Sequence, residues 1–414
     1  MDSSRDRMFW KFRTYGLLKN LRFFDPFLVL FFREAGLTYL AIGSLYAIRE
    51  VSTNLLEIPT GVVADAFGRR RAMIASFVSY LASFALFGIF SSYAMYAPAM
   101  VLFALGEALR SGTHKAMILE HLRQRGLEDG SVTYYGKTRA ASQFGSALAA
   151  LMGAGVVFWA GSYRVAFLAS MIPYVLALLL MVTYPKGLDG HIERIAWSWR
   201  GAFRRVRDTV RTSGAALRQQ LLLRGLLSGG AFDAVFRATK DYLQPILQAQ
   251  TLALPLFLSL GEEQRVAVVV GAVFFVIYLA TSFASSRAGL VREKAKSLSK
   301  AINGTYLVGM GFLVAAGLAG WIGWEAGAIV AYLLLYAAQN VRRPMIVGYV
   351  SEHIDHRMMA TGLSVETQLR TVLAAVFAPL LGLVADRLGV GPAILILGGL
   401  ALVAYPLARV RENA

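Results

Sequence analysis

Apolar residues along this chain are grouped into long runs, separated by short polar stretches rich in arginine and lysine. A helix needs about 20 apolar residues to cross a hydrocarbon core of about 30 Å. The runs predict helices over 16–34, 38–64, 72–91, 94–118, 135–159, 164–184, 223–249, 264–287, 300–320, 326–348, 360–384 and 391–409. The expectation is an all-α polytopic membrane protein with 12 transmembrane helices. Two halves of six spans, 1–184 and 223–414, flank a hydrophilic linker over 185–222. In that linker Ile192, Ile195, Trp199, Phe203, Val206 and Val210 recur at helical spacing with arginines opposite. This predicts a basic amphipathic helix in the headgroup region.

Composition agrees with the pattern. Of 414 residues, 57% are hydrophobic and 16% charged, and the mean hydropathy is +0.54. A soluble chain carries about 25% charged residues. The net charge of +17 would point to nucleic acid in a soluble protein. Here the cations collect on alternate loops, at Arg69 to Arg71, Arg123, Arg125, the linker, Arg292 and Lys294. Positive charge accumulates on the cytoplasmic side, so both termini are expected there, in a multi-pass protein of the cell (inner or plasma) membrane. No nucleic-acid partner is expected. The first residues lack the apolar core of a signal peptide and read as a retained tail. The chain has no cysteine, which excludes disulfides and thiolate chemistry.

Ionisable residues at bilayer depth are costly unless they face protein or water, so each is a functional candidate. Glu50, Asn54, Glu57 and Gly61 share one face of the second span. The fourth carries Glu107, Arg110 and His114; the seventh carries Asp233, Arg237, Lys240 and Gln244, with Asp241 alongside. The tenth holds Gln339, Asn340, Arg342 and Arg343 before Pro344, and the eleventh holds Glu366 and Arg370. These groups either serve a substrate or neutralise one another, as Asp233 and Arg237 can at i, i+4. Asp25, beside Pro26 in LRFFDPF, either carries a proton or pairs with an arginine of another helix.

The stretch EIPTGVVADAFGRRR, Glu57 to Arg71, places Gly61, Asp65, Gly68, Arg69, Arg70 and Arg71 between the second and third spans. It resembles the signature loop of the major facilitator superfamily, apart from Ala66 where a cation usually follows the aspartate. The resemblance implies two six-helix bundles and a cytoplasmic latch in which Asp65 works with Arg69 to Arg71. LGEALRSGTHKA resembles a reduced form of the superfamily's membrane-embedded arginine motif, with Arg110 and Gly112. PLLGLVADRLG, with Gly382, Asp386 and Gly389, repeats the loop pattern in the second half. The fifth span lacks the Gly-Pro pair of the superfamily's antiporter motif.

The implied function is secondary active transport of a small molecule by alternating access, coupled to protons or another ion, by a monomer in a lipid bilayer. Asp25 and Glu107 are the expected proton carriers, with Arg110 biasing them. Glu50, Glu57, His114, Asp233, Arg237, Lys240, Gln244, Asn340 and Glu366 are the expected substrate contacts. Export of amphipathic compounds is the first expectation. The alternative is a small anionic metabolite held by Arg110, Arg237 and Lys240. A membrane-embedded enzyme or sensor is the reading from another class; no nucleophile–base or metal constellation converges, and neither tail holds a soluble module. No cofactor is expected. GSVTYYGKT lacks the spacing and the preceding strand of a phosphate loop.

Overall fold

The computed structural model describes residues 6–127, 131–189, 220–255, 257–295, 297–352 and 359–410, and every element among them is helical. The first eight helices are α1 (Arg7–Leu18), α2 (Leu28–Glu34), α3 (Tyr39–Phe67), α4 (Arg69–Ile89), α5 (Tyr93–Arg110), α6 (Thr113–Gln124), α7 (Ser131–Ala160) and α8 (Arg164–Val182). After the linker come α9 (Gln220–Thr239), α10 (Leu243–Ala253), α11 (Glu262–Ser286), α12 (Ala288–Lys294) and α13 (Leu298–Trp321). The chain ends with α14 (Glu325–Glu352), α15 (Met359–Leu388), α16 (Val390–Val403) and α17 (Tyr405–Ala408). The expected amphipathic helix of the linker lies outside the described residues.

Each expected span falls on one helix or a broken pair. Six helices among the described residues are long and apolar enough to cross a membrane, including Arg69–Ile89, Arg164–Val182 and Leu298–Trp321. Other spans are interrupted for visible reasons. The first is broken by a 3-10 turn at Asp25–Phe27, where Pro26 removes a backbone donor. The fourth breaks at Gly112, whose φ of +74° ends α5. The seventh breaks at a 3-10 turn over Lys240–Tyr242. The first span also begins at Arg7 rather than at 16, because Met8, Phe9, Phe12 and Tyr15 form a buried helical stripe.

The chain divides into two compact units. Unit 1 comprises Met1–Phe31, Ser52–Arg205 and Val270–Phe275; unit 2 comprises Phe32–Val51, Val206–Val269 and Val276–Ala414. Within unit 1, α4 packs on α5 and α8, and α1 packs on α7. Within unit 2, α13 packs on α14 and α16, and α9 packs on α15. Counted by span, the pairings are third with fourth, third with sixth and first with fifth in both units. The same three helix pairings recur in both units.

The core of unit 1 is aromatic. Phe24 stacks on Phe167 with centroids 4.3 Å apart, and Phe84 meets Tyr174 edge-on at 4.8 Å. Such pairs add about 0.5–1.5 kcal/mol beyond area burial. Close backbone approach contributes in unit 2. A Cβ on Gly317 of α13 would lie 2.3 Å from Leu395 N, and one on Gly391 would lie 2.4 Å from Trp321 N. Small residues at such crossings let membrane helices pack without a hydrophobic driving force.

Asp6 anchors the start of α1. Its Oδ1 accepts from Met8 N at 2.9 Å, and its Oδ2 faces His121 Nε2 at 2.9 Å and accepts from Tyr134 at 3.0 Å. Burial pushes this carboxyl up, but the bonds to His121, Tyr134 and Met8 prevail and hold it below its ordinary value. Asp6→Ala should lower stability by about 1–2 kcal/mol from cap loss alone, read as a lower thermal midpoint in detergent. A carboxyl lowered in the folded state stabilises above its unfolded pKa. The gap between wild type and variant should therefore hold above about pH 4 and close as pH falls through the lower folded value.

Candidate functional site

Glu107, near the end of α5, is the hub of a polar network in unit 1. Its Oε1 accepts from Arg22 at 2.5 Å and from Tyr80 at 2.7 Å, and its Oε2 accepts from Arg110 at 2.8 Å. Arg110 Nε donates to Tyr80 Oη at 3.2 Å, while Arg22 Nε donates to Tyr174 Oη at 2.7 Å. Tyr174 closes the circuit by donating to Lys19 O at 2.9 Å. One carboxylate thus ties the break after α1 to α4, α5 and α8. Both arginines are only about one-fifth exposed. Asp25, half-buried on the 3-10 turn, lies within the electrostatic reach of Arg22.

Beside this network is a cavity of about 250 Å³ lined from α1, its exit, α6 and α7. Its polar walls are Lys19, Asn20, His114, Thr138, Arg139, Ser142, Gln143 and Ser146, with no carboxylate among them. Tyr15 and Phe12 supply the aromatic side. His114 stacks on Tyr15 at 3.7 Å, and its Nε2 is 3.5 Å from Tyr184 Oη. The lining therefore carries two basic side chains and a set of neutral donors suited to an anion.

Unit 2 holds a second polar cluster. Asp233 of α9 accepts from Gln339 of α14 and, at 3.5 Å, from Arg370 of α15. These residues line a cavity of about 140 Å³ with Gly229, Arg342, Arg343 and Glu366. Arg342 is 1% exposed, and backbone carbonyls and rings hold it. It donates to Ile302 O, to Ser228 O at 3.1 Å and to Ser228 Oγ at 2.6 Å, and lies over Phe232 and Tyr306. Elsewhere in this unit Glu50 accepts from Arg49 at 3.1 Å and from Arg237 at 3.3 Å.

The pairing Asp233–Arg237 along one helix does not form. Each residue takes a partner from another segment, and Arg370 pairs with Asp233 rather than with Glu366 four residues earlier. Lys240 pairs with Asp241 at 2.6 Å. Asn340 donates to Tyr336 O of its own helix at 2.9 Å, and Gln244 is fully buried in α10. Glu57 is exposed and accepts from Ser111 at 2.9 Å. The candidates Arg110, Arg237 and Lys240 are thus each paired with a carboxylate of their own unit.

The loop expected to act as a latch has a different internal logic. Gly61 faces open space, and Asp65 is exposed with no ion pair among the described residues. Arg69 reaches Ala116 O at 3.5 Å. Asp189 takes the capping role instead, accepting from Arg70 N at 2.7 Å. A Cβ on Gly68, which has φ +97°, would lie 2.9 Å from the Asp189 carboxyl carbon. The Arg70 guanidinium donates to Val182 O and Tyr184 O, each at 3.2 Å. In the second copy of the motif Asp386 accepts from Tyr39 N and Leu40 N, both at 2.8 Å, and so caps α3.

Sequence reasoning missed Arg22, Tyr80, Tyr174, Lys19 and Arg139 as site residues, and missed Asp189 as the cap. Arg22 and Lys19 were findable as charges inside a predicted span. The tyrosines gave no signal, because nothing in the sequence separates a polar tyrosine from a core one.

A family model described as Major Facilitator Superfamily matches residues 20–369. A stretch of 104 residues is 26% identical to the uncharacterized MFS-type transporter YxaM of Bacillus subtilis (strain 168), covering 25% of this chain and 26% of that protein. Among solved structures, the nucleoside transporter NupG superposes with a TM-score of 0.76 at 11% identity, over 99% of this chain and 100% of that one. The D-xylose-proton symporter does so with a TM-score of 0.67 at 15% identity, over 98% of each chain. A mutant of the peptide transporter POT, in complex with sulfate, gives 0.73 at 14% identity, over 98% of this chain and 96% of that one. The matched family model leads to one conclusion: this chain belongs to the Major Facilitator Superfamily and is an integral membrane protein.

Proposed function

We propose that this chain is a secondary transporter that moves a small anionic solute, coupled to protons, through a site in unit 1, the cavity at Lys19, Arg139 and His114. The observation that carries the reading is that cavity's chemistry, with two basic side chains, several neutral donors and no carboxylate. Its volume of about 250 Å³ is below the range of about 300–1,000 Å³ typical of sites for drug-sized ligands. Export of amphipathic compounds has less support. The phenylalanines of unit 1 that would line a permissive pocket are engaged with one another, as Phe24, Phe84 and Phe167 are. The cation-rich loops support cytoplasmic termini.

Glu107 acts in this reading as a fixed counter-charge. Two guanidiniums and a phenol already satisfy its oxygens, so its charge serves to hold unit 1 together. The driving ion is proposed to be a proton because carboxylates, rather than a nucleotide motif, are what the chain offers.

Transport should be measured in proteoliposomes with labelled monocarboxylates, dicarboxylates and inorganic phosphate, under an imposed pH gradient. Lys19→Gln and Arg139→Gln should each weaken binding of the transported anion about tenfold or more, the loss expected for a charged hydrogen bond of about 1.5–3 kcal/mol. Transport of an amphipathic cation and of none of the anions would overturn the reading.

Glu107→Gln should cost about 3–5 kcal/mol, because it leaves buried guanidiniums undercompensated. The loss would appear as a lower thermal midpoint together with lost transport. A variant with the wild-type midpoint that loses only the response to the pH gradient would restore Glu107 as the proton carrier.

A further inference from the structure

Two carboxylates, Asp233 and Glu366, share the cavity of about 140 Å³ in unit 2, and the structure treats them differently. Asp233 has an amide donor and a guanidinium. Glu366 is half-buried and forms no ion pair among the described residues. Its carboxylate lies against the backbone of α9, where a Cβ on Gly229 would be 2.8 Å from its Oε1 and 2.8 Å from Ile346 Cγ2. Glu366 thus faces the backbone of α9, whereas Asp233 faces an amide and a guanidinium.

The charged groups facing Glu366 are few and differently committed. From α9 there is Asp233. From α14 there are Arg343, which is exposed, and Arg342, whose guanidinium is taken up by Ile302 O and Ser228 and by two aromatic faces. From its own helix there is Arg370, one turn away at i, i+4 and bonded across to Asp233.

We propose that Glu366 takes up and releases the coupling proton, and that its charge decides which carboxylate holds Arg370. This rests on the proton-coupled reading above. When Glu366 is protonated, an O–H bond occupies one of its oxygens, and Arg370 stays across the gap on Asp233. This bridges α15 to α9. When the proton leaves, the carboxylate one turn away competes for Arg370 and the bridge between the helices weakens. The step moves one proton and needs no other reactant. It gives a local route from protonation to helix packing, because α9 and α15 are paired in unit 2.

The test uses the full chain in proteoliposomes and does not need the substrate. Infrared difference spectra are recorded between alkaline and acidic buffer, and the carbonyl band of a protonated carboxylic acid is followed. Wild type should show a band that titrates, and Glu366→Gln should lose it. Glu366→Asp should keep a band at a shifted frequency, which controls for misfolding. Asp233→Asn should move the titration to lower pH, because it removes the neighbouring negative charge and frees Arg370. A band that survives Glu366→Gln, or vanishes in Glu107→Gln instead, would overturn the assignment. Transport assays keep the two readings apart. If wild type accumulates a carboxylate or phosphate under a pH gradient and Glu366→Gln still does, only the role of Glu366 fails. If wild type ignores the gradient for every anion, proton coupling itself fails, whatever the spectra show.

Discussion

A charge taken out of water must find a compensating partner, and this single constraint organises both units. Glu107 meets two arginines and a tyrosine, Glu50 meets two arginines, and Asp233 meets an arginine and an amide. Removing one partner of a buried pair costs about 3–5 kcal/mol, whereas the intact pair adds little net stability. These networks therefore specify which helices are neighbours more than they strengthen the fold. Arg342 obeys the same rule with carbonyls and aromatic faces in place of a carboxylate.

The breaks in the helices belong to this scheme. Non-helical backbone at membrane depth is tolerated where protein or a polar cavity satisfies it. The turns at Asp25–Phe27 and Lys240–Tyr242 interrupt the first span of each unit, and both carry an aspartate. The two units share helix pairings but not wall chemistry. One cavity is basic and free of carboxylates; the other holds two acids and three arginines. The helix pairings match while the side chains that line the cavities differ.

Much of the fold was legible in the sequence because apolar length and loop charge are one-dimensional signals. The helix limits of α4, α8 and α13 follow from runs of apolar residues bounded by arginine, proline or serine. Which charges meet was not legible. The i, i+4 relation of Asp233 to Arg237 is a true statement about one helix, yet inter-helix partners with better geometry take both residues. The same happened at Gly68, where the aspartate that fits the glycine comes from Asp189, more than a hundred residues later, and not from Asp65 in the loop itself. Local pattern sets what a residue can do, and tertiary neighbours decide what it does.

That cap has a mechanical side. Asp189 ends the 3-10 turn Lys186–Asp189, so that turn is fastened to the first turn of α4. Leu188 beside it is buried, which seats the turn firmly. A displacement of this turn is therefore borne by one carboxylate on one amide, reinforced by the hold of Arg70 on Val182 and Tyr184. The end of α8, the turn after it and the start of α4 are joined at one point, so a shift in any of them is delivered to the other two.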